Sequence, residues 1–324
     1  MIDKKIKNPH PLNTEPIMTW SLLDRTGFAV SRLRELELMQ FGLTSEQSSI
    51  LHILKDYPSL SVKELRDFTM RQIHSTYTII NRMIKMGMVF KKQTARDKGV
   101  RIALTKEGKH LLEVVKTDSL EMIFAVLTVQ EKRQLRKGLS ALLTKARSLL
   151  EVSYKPAFLN YLNSGISTGV IIYEDSNKKE LNAFELWQLL FRAEFAISRL
   201  RELELSQYNL TVEQSSILHI IESSSGSTIK DLENFTMRQH HSIYVLINRM
   251  IKMGLATKVR NFQRKSMKIV LTKKGKDLLH KVRYDSLEMI FSVLTIREKE
   301  QLIDCLNILL NKARELLQVD SMTI

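Results

Sequence analysis

The sequence predicts a mainly α-helical fold with two small β-hairpins, built as two copies of one domain in a single chain. Three observations carry that prediction: an internal repeat, a regular series of helix-capping signals, and one change of hydrophobic period at the same place in each copy. The repeat is plainest at 68–87, FTMRQIHSTYTIINRMIKMG, which returns at 235–254 as FTMRQHHSIYVLINRMIKMG, identical at sixteen of twenty positions. A constant offset of 167 residues links Ser31 to Ser198, Asn81 to Asn248 and Gly108 to Gly275, without a gap from Trp20/Trp187 to Val152/Val319. A period that long excludes a short solenoid repeat and fits domains of roughly 135–150 residues. The expected division is a first copy at 14–152, a linker at 153–176 and a second copy at 177–324.

In order along each copy, Thr14 is placed to cap a first helix with Pro16 in its first turn, where a missing N–H costs little. That helix is expected to run to about Gln40. Gly42 follows it, and Asn209 stands at the same place in copy two; these two residue types most easily take a left-handed C′ conformation. Thr44-x-x-Gln47 and Thr211-x-x-Gln214 read as capping boxes opening a second helix. Ser61-x-x-Glu64 and Thr228-x-x-Asp231 open a third. The repeated stretch supplies a fourth, ending at Gly87 or Gly254. At 89–105 the period changes to two strand-like ends around a polar tip, a β-hairpin. Thr105 then caps a fifth helix, and Thr128-x-x-Glu131 and Thr295-x-x-Glu298 start a sixth. The last helix carries an apolar stripe, Leu135, Leu139, Leu142, Leu143, Ala146, Leu149 and Leu150, repeated as Leu302, Leu306, Leu309, Leu310, Ala313, Leu316 and Leu317. Such a stripe needs a partner, and the opposite copy is the expected one.

Composition narrows the function. Fifty Lys and Arg against 35 Asp and Glu give a formal charge of +15, which favours a polyanionic partner. The lone cysteine, Cys305, allows no internal disulfide and fits a reducing, cytoplasmic location. No apolar run is long enough to span a bilayer, and the first sixteen residues lack the apolar core of a signal peptide. Phosphate-binding loops, dinucleotide fingerprints, nucleophile elbows and metal-ligand spacings are all missing, so neither an enzyme nor a cofactor or metal is expected.

On a helical projection the fourth helix divides into two faces. Thr76, Ile79, Ile80 and Met83 form a core face, matched by Ile243, Leu246, Ile247 and Met250. The other face carries Arg71, His74, Ser75, Thr78, Asn81, Arg82 and Lys85, matched by Arg238, His241, Ser242, Val245, Asn248, Arg249 and Lys252. It contains cationic, amide and hydroxyl groups and no acid, the set that binds phosphate oxygens and base edges. The hairpin adds Lys91, Lys92, Arg96, Lys98 and Arg101, or Lys258, Arg260, Arg264, Lys265 and Lys268. Basic side chains at a hairpin tip suit a narrow minor groove. A helix-turn-helix followed by a basic hairpin is a winged helix-turn-helix.

In this order of elements each copy resembles the MarR (multiple-antibiotic-resistance regulator) family. The motifs that carry the resemblance are GLTSEQSSILHIL, SVKELRDF, INRMIKMGMV and VRIALTKEGKHLL, and in copy two NLTVEQSSILHII, TIKDLENF, INRMIKMGLA and MKIVLTKKGKDLL. Members of that family are homodimers paired through terminal helices, so the resemblance implies a single-chain pseudo-dimer with intramolecular pairing of the copies. It also implies a transcription regulator, expected as a repressor of double-stranded operator DNA, one recognition helix and wing per half-site. A small-molecule effector in a cleft between the dimer helices and the DNA-binding lobe is a further expectation, although no residue of the sequence names one. The wing tips, Arg96-Asp97-Lys98 and Gln263-Arg264-Lys265, depart from the family's Asp-x-Arg tip. The competing reading is a winged-helix scaffold that binds protein instead of DNA.

Two residue sets have other readings. His52 and His219 lie in an apolar helix and read as satisfied core residues. Glu35 and Glu37, within SRLRELEL, read as a solvated or paired helix face.

Overall fold

The computed structural model describes residues 15–69, 71–94, 97–150, 182–261 and 266–319; side chains are not described at 94, 97–99, 261 and 266. The expected Thr14 cap, the linker at 153–176 and the wing residues Arg96, Lys98, Arg264 and Lys265 lie outside the described residues or side chains.

Capping chemistry sets where the helices begin. Helix α1 (Glu15–Met39) has Pro16 in its first turn. The Thr44/Gln47 box opens α2 (Ser45–Asp56). Strand β1 (Leu60–Ser61) leads into α3 (Val62–Thr69), where the Ser61 N–H donates to Glu64 at 2.7 Å and the Glu64 N–H to the Ser61 hydroxyl at 3.2 Å. Helix α4 (Ile73–Lys85) follows a short turn, then β2 (Val89–Thr94) and β3 (Asp97–Leu104). Thr105 caps α5 (Lys106–Val114), and the Thr128/Glu131 box opens α7 (Val129–Leu149). Between them stands α6 (Asp118–Phe124), which the sequence pattern did not separate from its neighbours. Val115 takes an extended conformation and breaks the helix, and Asp118 restarts it.

Copy two follows the same order. It runs α8 (Ala183–Ser206), α9 (Val212–Ser223), α10 (Ile229–Thr236), α11 (His240–Lys252), β4 (Ala256–Asn261), β5 (Ser266–Leu271), α12 (Lys273–Lys281), α13 (Asp285–Phe291) and α14 (Ile296–Leu317). The expected left-handed pair is present, with φ of 63° at Gly42 and 53° at Asn209. The architecture is mainly helical with small antiparallel sheets, consistent with a winged helix.

The hairpins pair antiparallel, Val89 opposite Leu104 and Lys92 opposite Arg101, and in copy two Ala256 opposite Leu271. Strand β1 joins the first sheet through Leu60 opposite Ile102; copy two keeps only a single Ser227–Ile269 bridge there. The glycine of each LTKxGK motif has a steric cause. A Cβ on Gly108 would lie 2.1 Å from the Met88 carbonyl oxygen, and one on Gly275 2.1 Å from that of Leu255. Only glycine lets the helix after the wing press against the strand before it.

The apolar stripes of α7 and α14 are buried along Leu135, Leu139, Leu142 and Ala146 and along Leu302, Leu306, Leu309 and Ala313. They belong to one core that also holds Trp20 and Trp187. Contacts run between copies. The Thr26 hydroxyl donates to the Leu306 carbonyl at 3.3 Å, Lys299 pairs with Glu15 at 3.3 Å, Lys137 pairs with Glu298 at 2.9 Å, and the Trp187 indole donates to Ser31 Oγ at 3.2 Å.

The SRLRELEL run is not a solvated face at its centre. Arg34 is fully buried and donates to Glu37 at 2.5 Å and to the Lys116 carbonyl at 2.6 Å. Glu37 also accepts from the Ser119 N–H at 3.1 Å. Arg201 repeats this with Glu204 and the Arg283 carbonyl. These pairs fasten each long helix to the segment after the wing. Glu35 remains at the surface, with Arg32 at 3.5 Å.

Candidate nucleic-acid interface

Helix α4 is oriented by its core face: Thr76, Ile80 and Met83 are buried, as are Ile243, Ile247 and Met250 on α11. This leaves His74, Ser75, Thr78, Asn81, Arg82 and Lys85 exposed in copy one. In copy two His241, Ser242, Val245, Arg249 and Lys252 are exposed, and Asn248 is half-buried. Among the described residues, Arg82, Lys85, Arg249 and Lys252 form no ion pair, so their charges face solvent. Both helices also begin on a glutamine, Gln72 or Gln239, that makes no side-chain cap, and neither has an acid in its first turn. The boxed starts of α2 and α9 contrast with this. Uncapped N-terminal N–H groups are available to an anion, a feature that no capping signal in the sequence marks.

Two expected members of this face stand elsewhere. Arg71 and Arg238 are not on the helix, because the helix starts two residues later and both lie in the turn before it. A uniform helical period of 100° per residue does not mark where the helix begins, so sequence alone extends it back to these arginines. Arg71 pairs with Glu46 at 2.8 Å and lies 5.3 Å from the Phe195 ring; Arg238 pairs with Glu213 at 3.7 Å and lies 5.1 Å from the Phe28 ring. Each turn is thereby tied to its own lobe and to an aromatic ring of the other copy. Thr78 is also less free than its sequence suggests. Its hydroxyl donates to the His74 carbonyl at 3.0 Å, leaving a methyl group and an acceptor outward.

On the wings Lys91, Lys92, Lys258 and Arg260 are exposed, and Lys258 Nζ lies 5.4 Å from the Tyr244 ring on α11. Arg101 is turned back into its lobe, donating to the Ser59 carbonyl at 2.8 Å and pairing with Glu64 at 3.4 Å. That is a second departure from the expected basic set. Its counterpart Lys268 is half-buried.

The recurring histidines differ between copies. His52 donates its Nδ1–H to the Ser48 carbonyl at 2.8 Å and stacks on Phe184 of the other copy, centroids 3.8 Å apart. It lines a cavity of about 180 Å³ between α2, α7 and α8, with Asp56, Tyr57, Arg147, Glu185 and Gln188. His219 is instead closed by a hydrogen bond to the Tyr284 hydroxyl. Burial lowers both imidazoles to about 4. Cys305 is buried against the Glu131 carbonyl at 3.5 Å, and burial pushes its thiol up to about 11, the opposite of what a reactive cysteine needs. Among the described residues no cluster of His, Cys, Asp or Glu suits a metal ion, and no helix is long and apolar enough to cross a membrane.

No protein-family model matches the chain, and no curated protein matches it either. Among solved structures, the chain is similar to the crystal structure of wild type MarR (apo form) from E. coli, at 21% identity over 33% of this chain and 82% of that one, with a TM-score of 0.30.

Proposed function

We propose that the chain is a sequence-specific, double-stranded-DNA-binding transcription regulator whose two winged helix-turn-helix copies, 14–152 and 177–324, pair within one chain to read one operator. The supporting observation is the pair of equivalent exposed faces on α4 and α11, acid-free, cationic at one end and uncapped at the other. Arg82, Lys85, Arg249 and Lys252 meet phosphates or guanine edges, and Asn81 and Asn248 suit adenine. The wings supply further phosphate contacts through Lys91, Lys92, Lys258 and Arg260. The cavity beside His52 is the place we assign to a small-molecule effector, because it lies between the long helices and the first lobe.

Duplexes selected from a random pool should contain two similar half-sites about one helical turn apart, ~34–36 Å. Binding through ~6–10 phosphate contacts should weaken by ~10³–10⁵ between 50 and 200 mM salt. Arg82→Ala and Arg249→Ala should each cost ~1–3 kcal/mol of binding with helical circular dichroism unchanged. Absence of duplex binding at low salt would refute this reading in favour of a protein-binding scaffold.

A further inference from the structure

A residue on the axis of a twofold pair meets its own counterpart, so identical protomers can set only like against like there. Two copies in one chain are free of that constraint. The repeat offset of 167 makes Gly27 of α1 and Glu194 of α8 counterparts, and the two meet. A Cβ built on Gly27 would lie 3.3 Å from Glu194 Cγ and 3.6 Å from its Cβ. The place therefore holds one side chain against one glycine and leaves a second side chain almost no room.

The difference reaches the neighbouring turn. Ser198 Oγ donates to Glu194 at 3.5 Å, while its counterpart Ser31 accepts from the Trp187 indole of the other copy at 3.2 Å. The second crossing, α7 on α14, is fixed by three contacts. The Cys305 thiol donates to the Glu131 carbonyl at 3.5 Å, Lys137 pairs with Glu298 at 2.9 Å, and a Cβ on Gly138 would lie 3.5 Å from Leu302 Cδ1. Inside the stretch that these contacts bracket, the counterparts Arg133 and Glu300 are both exposed and opposite in charge.

We infer that Gly27 and Glu194 form a key on the pseudo-twofold axis that admits only unlike copies as partners, with Arg133 and Glu300 reinforcing it: copy one seats on copy two, and neither seats on itself. Copy two against copy two would set glutamate on glutamate at the crossing, overpacked and with two carboxylates repelling. Copy one against copy one would set glycine on glycine, leaving a void where the Glu194 methylenes pack and a weak point in each long helix. On the second crossing, like pairing brings arginine toward arginine or glutamate toward glutamate, a repulsive element that rejects the wrong partner. Chains that exchange copies can then join only copy one of one to copy two of the other. Every assembled pair carries one α4 and one α11, hence one Thr78 and one Val245, and its two recognition helices are never identical. The inference rests on the reading that the copies pair through these helices, and not on what the recognition helices bind.

The test is a swap across the axis in the full chain. Gly27→Glu and Glu194→Gly should each lower the melting temperature by about 3–10 °C. Combined in one chain, the two changes return one glycine and one glutamate to the axis and should recover most of that loss. Joint refolding of the two single variants at high protein concentration, followed by native mass spectrometry, gives a second readout. One variant carries glutamate at both places and the other glycine at both, so two-chain species should consist mainly of one chain of each. Single losses that simply add in the double variant, or two-chain species in statistical proportion, would overturn the key. Recovery in the double variant cannot come from a fold damaged at either site. The measurements contain no DNA, so their failure is distinct from failure of the DNA-binding reading.

Discussion

The two lobes present nearly the same recognition helix on differently founded cores. In the first, Leu38, Ile50, Leu54, Leu65, Ile80, Met83 and Ile102 form a cluster separate from the central bundle. In the second, the matching residues Leu205, Ile217, Ile221, Leu232, Ile247, Met250 and Ile269 are continuous with it. A bridging residue explains part of the difference. Tyr284 is buried, hydrogen-bonded to His219 and packed 4.7 Å from the Arg201 guanidinium, whereas the equivalent Thr117 is turned toward solvent and Glu121. Sequence difference thus reaches the contacts between each lobe and the bundle, as it does the wings, while the recognition helices stay nearly alike. Lobes with nearly the same recognition helix need not respond alike to pH or ligand.

The largest test of that comparison removes the buried arginines. Arg34→Ala and Arg201→Ala each leave a glutamate without its partner and should cost ~3–5 kcal/mol. In denaturant, Arg34→Ala should detach an early transition for the first lobe, while Arg201→Ala should lower the main transition. Identical unfolding curves would mean that the two cores are equally joined to the bundle.

Acid should act next. The ordinary imidazole value is about 6.5, and burial lowers His52 and His219 to about 4. The unfolded chain takes up protons first, so stability is full above pH 6.5 and is lost as pH falls toward 4, by up to about 3 kcal/mol for each histidine. His52→Asn and His219→Asn should each flatten this acid limb in thermal melts. A compound that fills the first lobe's cavity should shift the limb through His52 but not through His219.

The smallest effect concerns the recognition face itself. Thr78→Val makes both helices present valine at that position. Because the Thr78 hydroxyl already donates within its helix, the change should alter affinity for the selected operator by less than about 1 kcal/mol. A larger loss would show that the hydroxyl reads a base.

Much of the fold was legible because its signals are local. Thr44, Thr105, Thr128 and their repeats cap the helices they were expected to cap, and the Gly42/Asn209 exchange matches the positive φ found at both. The exposed set His74, Ser75, Asn81, Arg82 and Lys85 followed from helical period alone. What escaped depends on distant partners. Nothing near Arg71 in sequence announces Glu46 or the ring of Phe195, and nothing near Arg101 announces the Ser59 carbonyl. The buried role of Glu37 required Ser119, 82 residues away, to be in place.

The contacts joining Thr26 to Leu306 and Lys137 to Glu298 carry one more consequence. They connect parts of a single covalent chain, so mass action does not govern them. Paired protomers separate on dilution and gain stability with concentration. Here the tether holds each long helix beside its partner at a fixed effective concentration. If the pairing is within one chain, the melting temperature at a given pH should not change with protein concentration, which a dilution series of thermal melts checks.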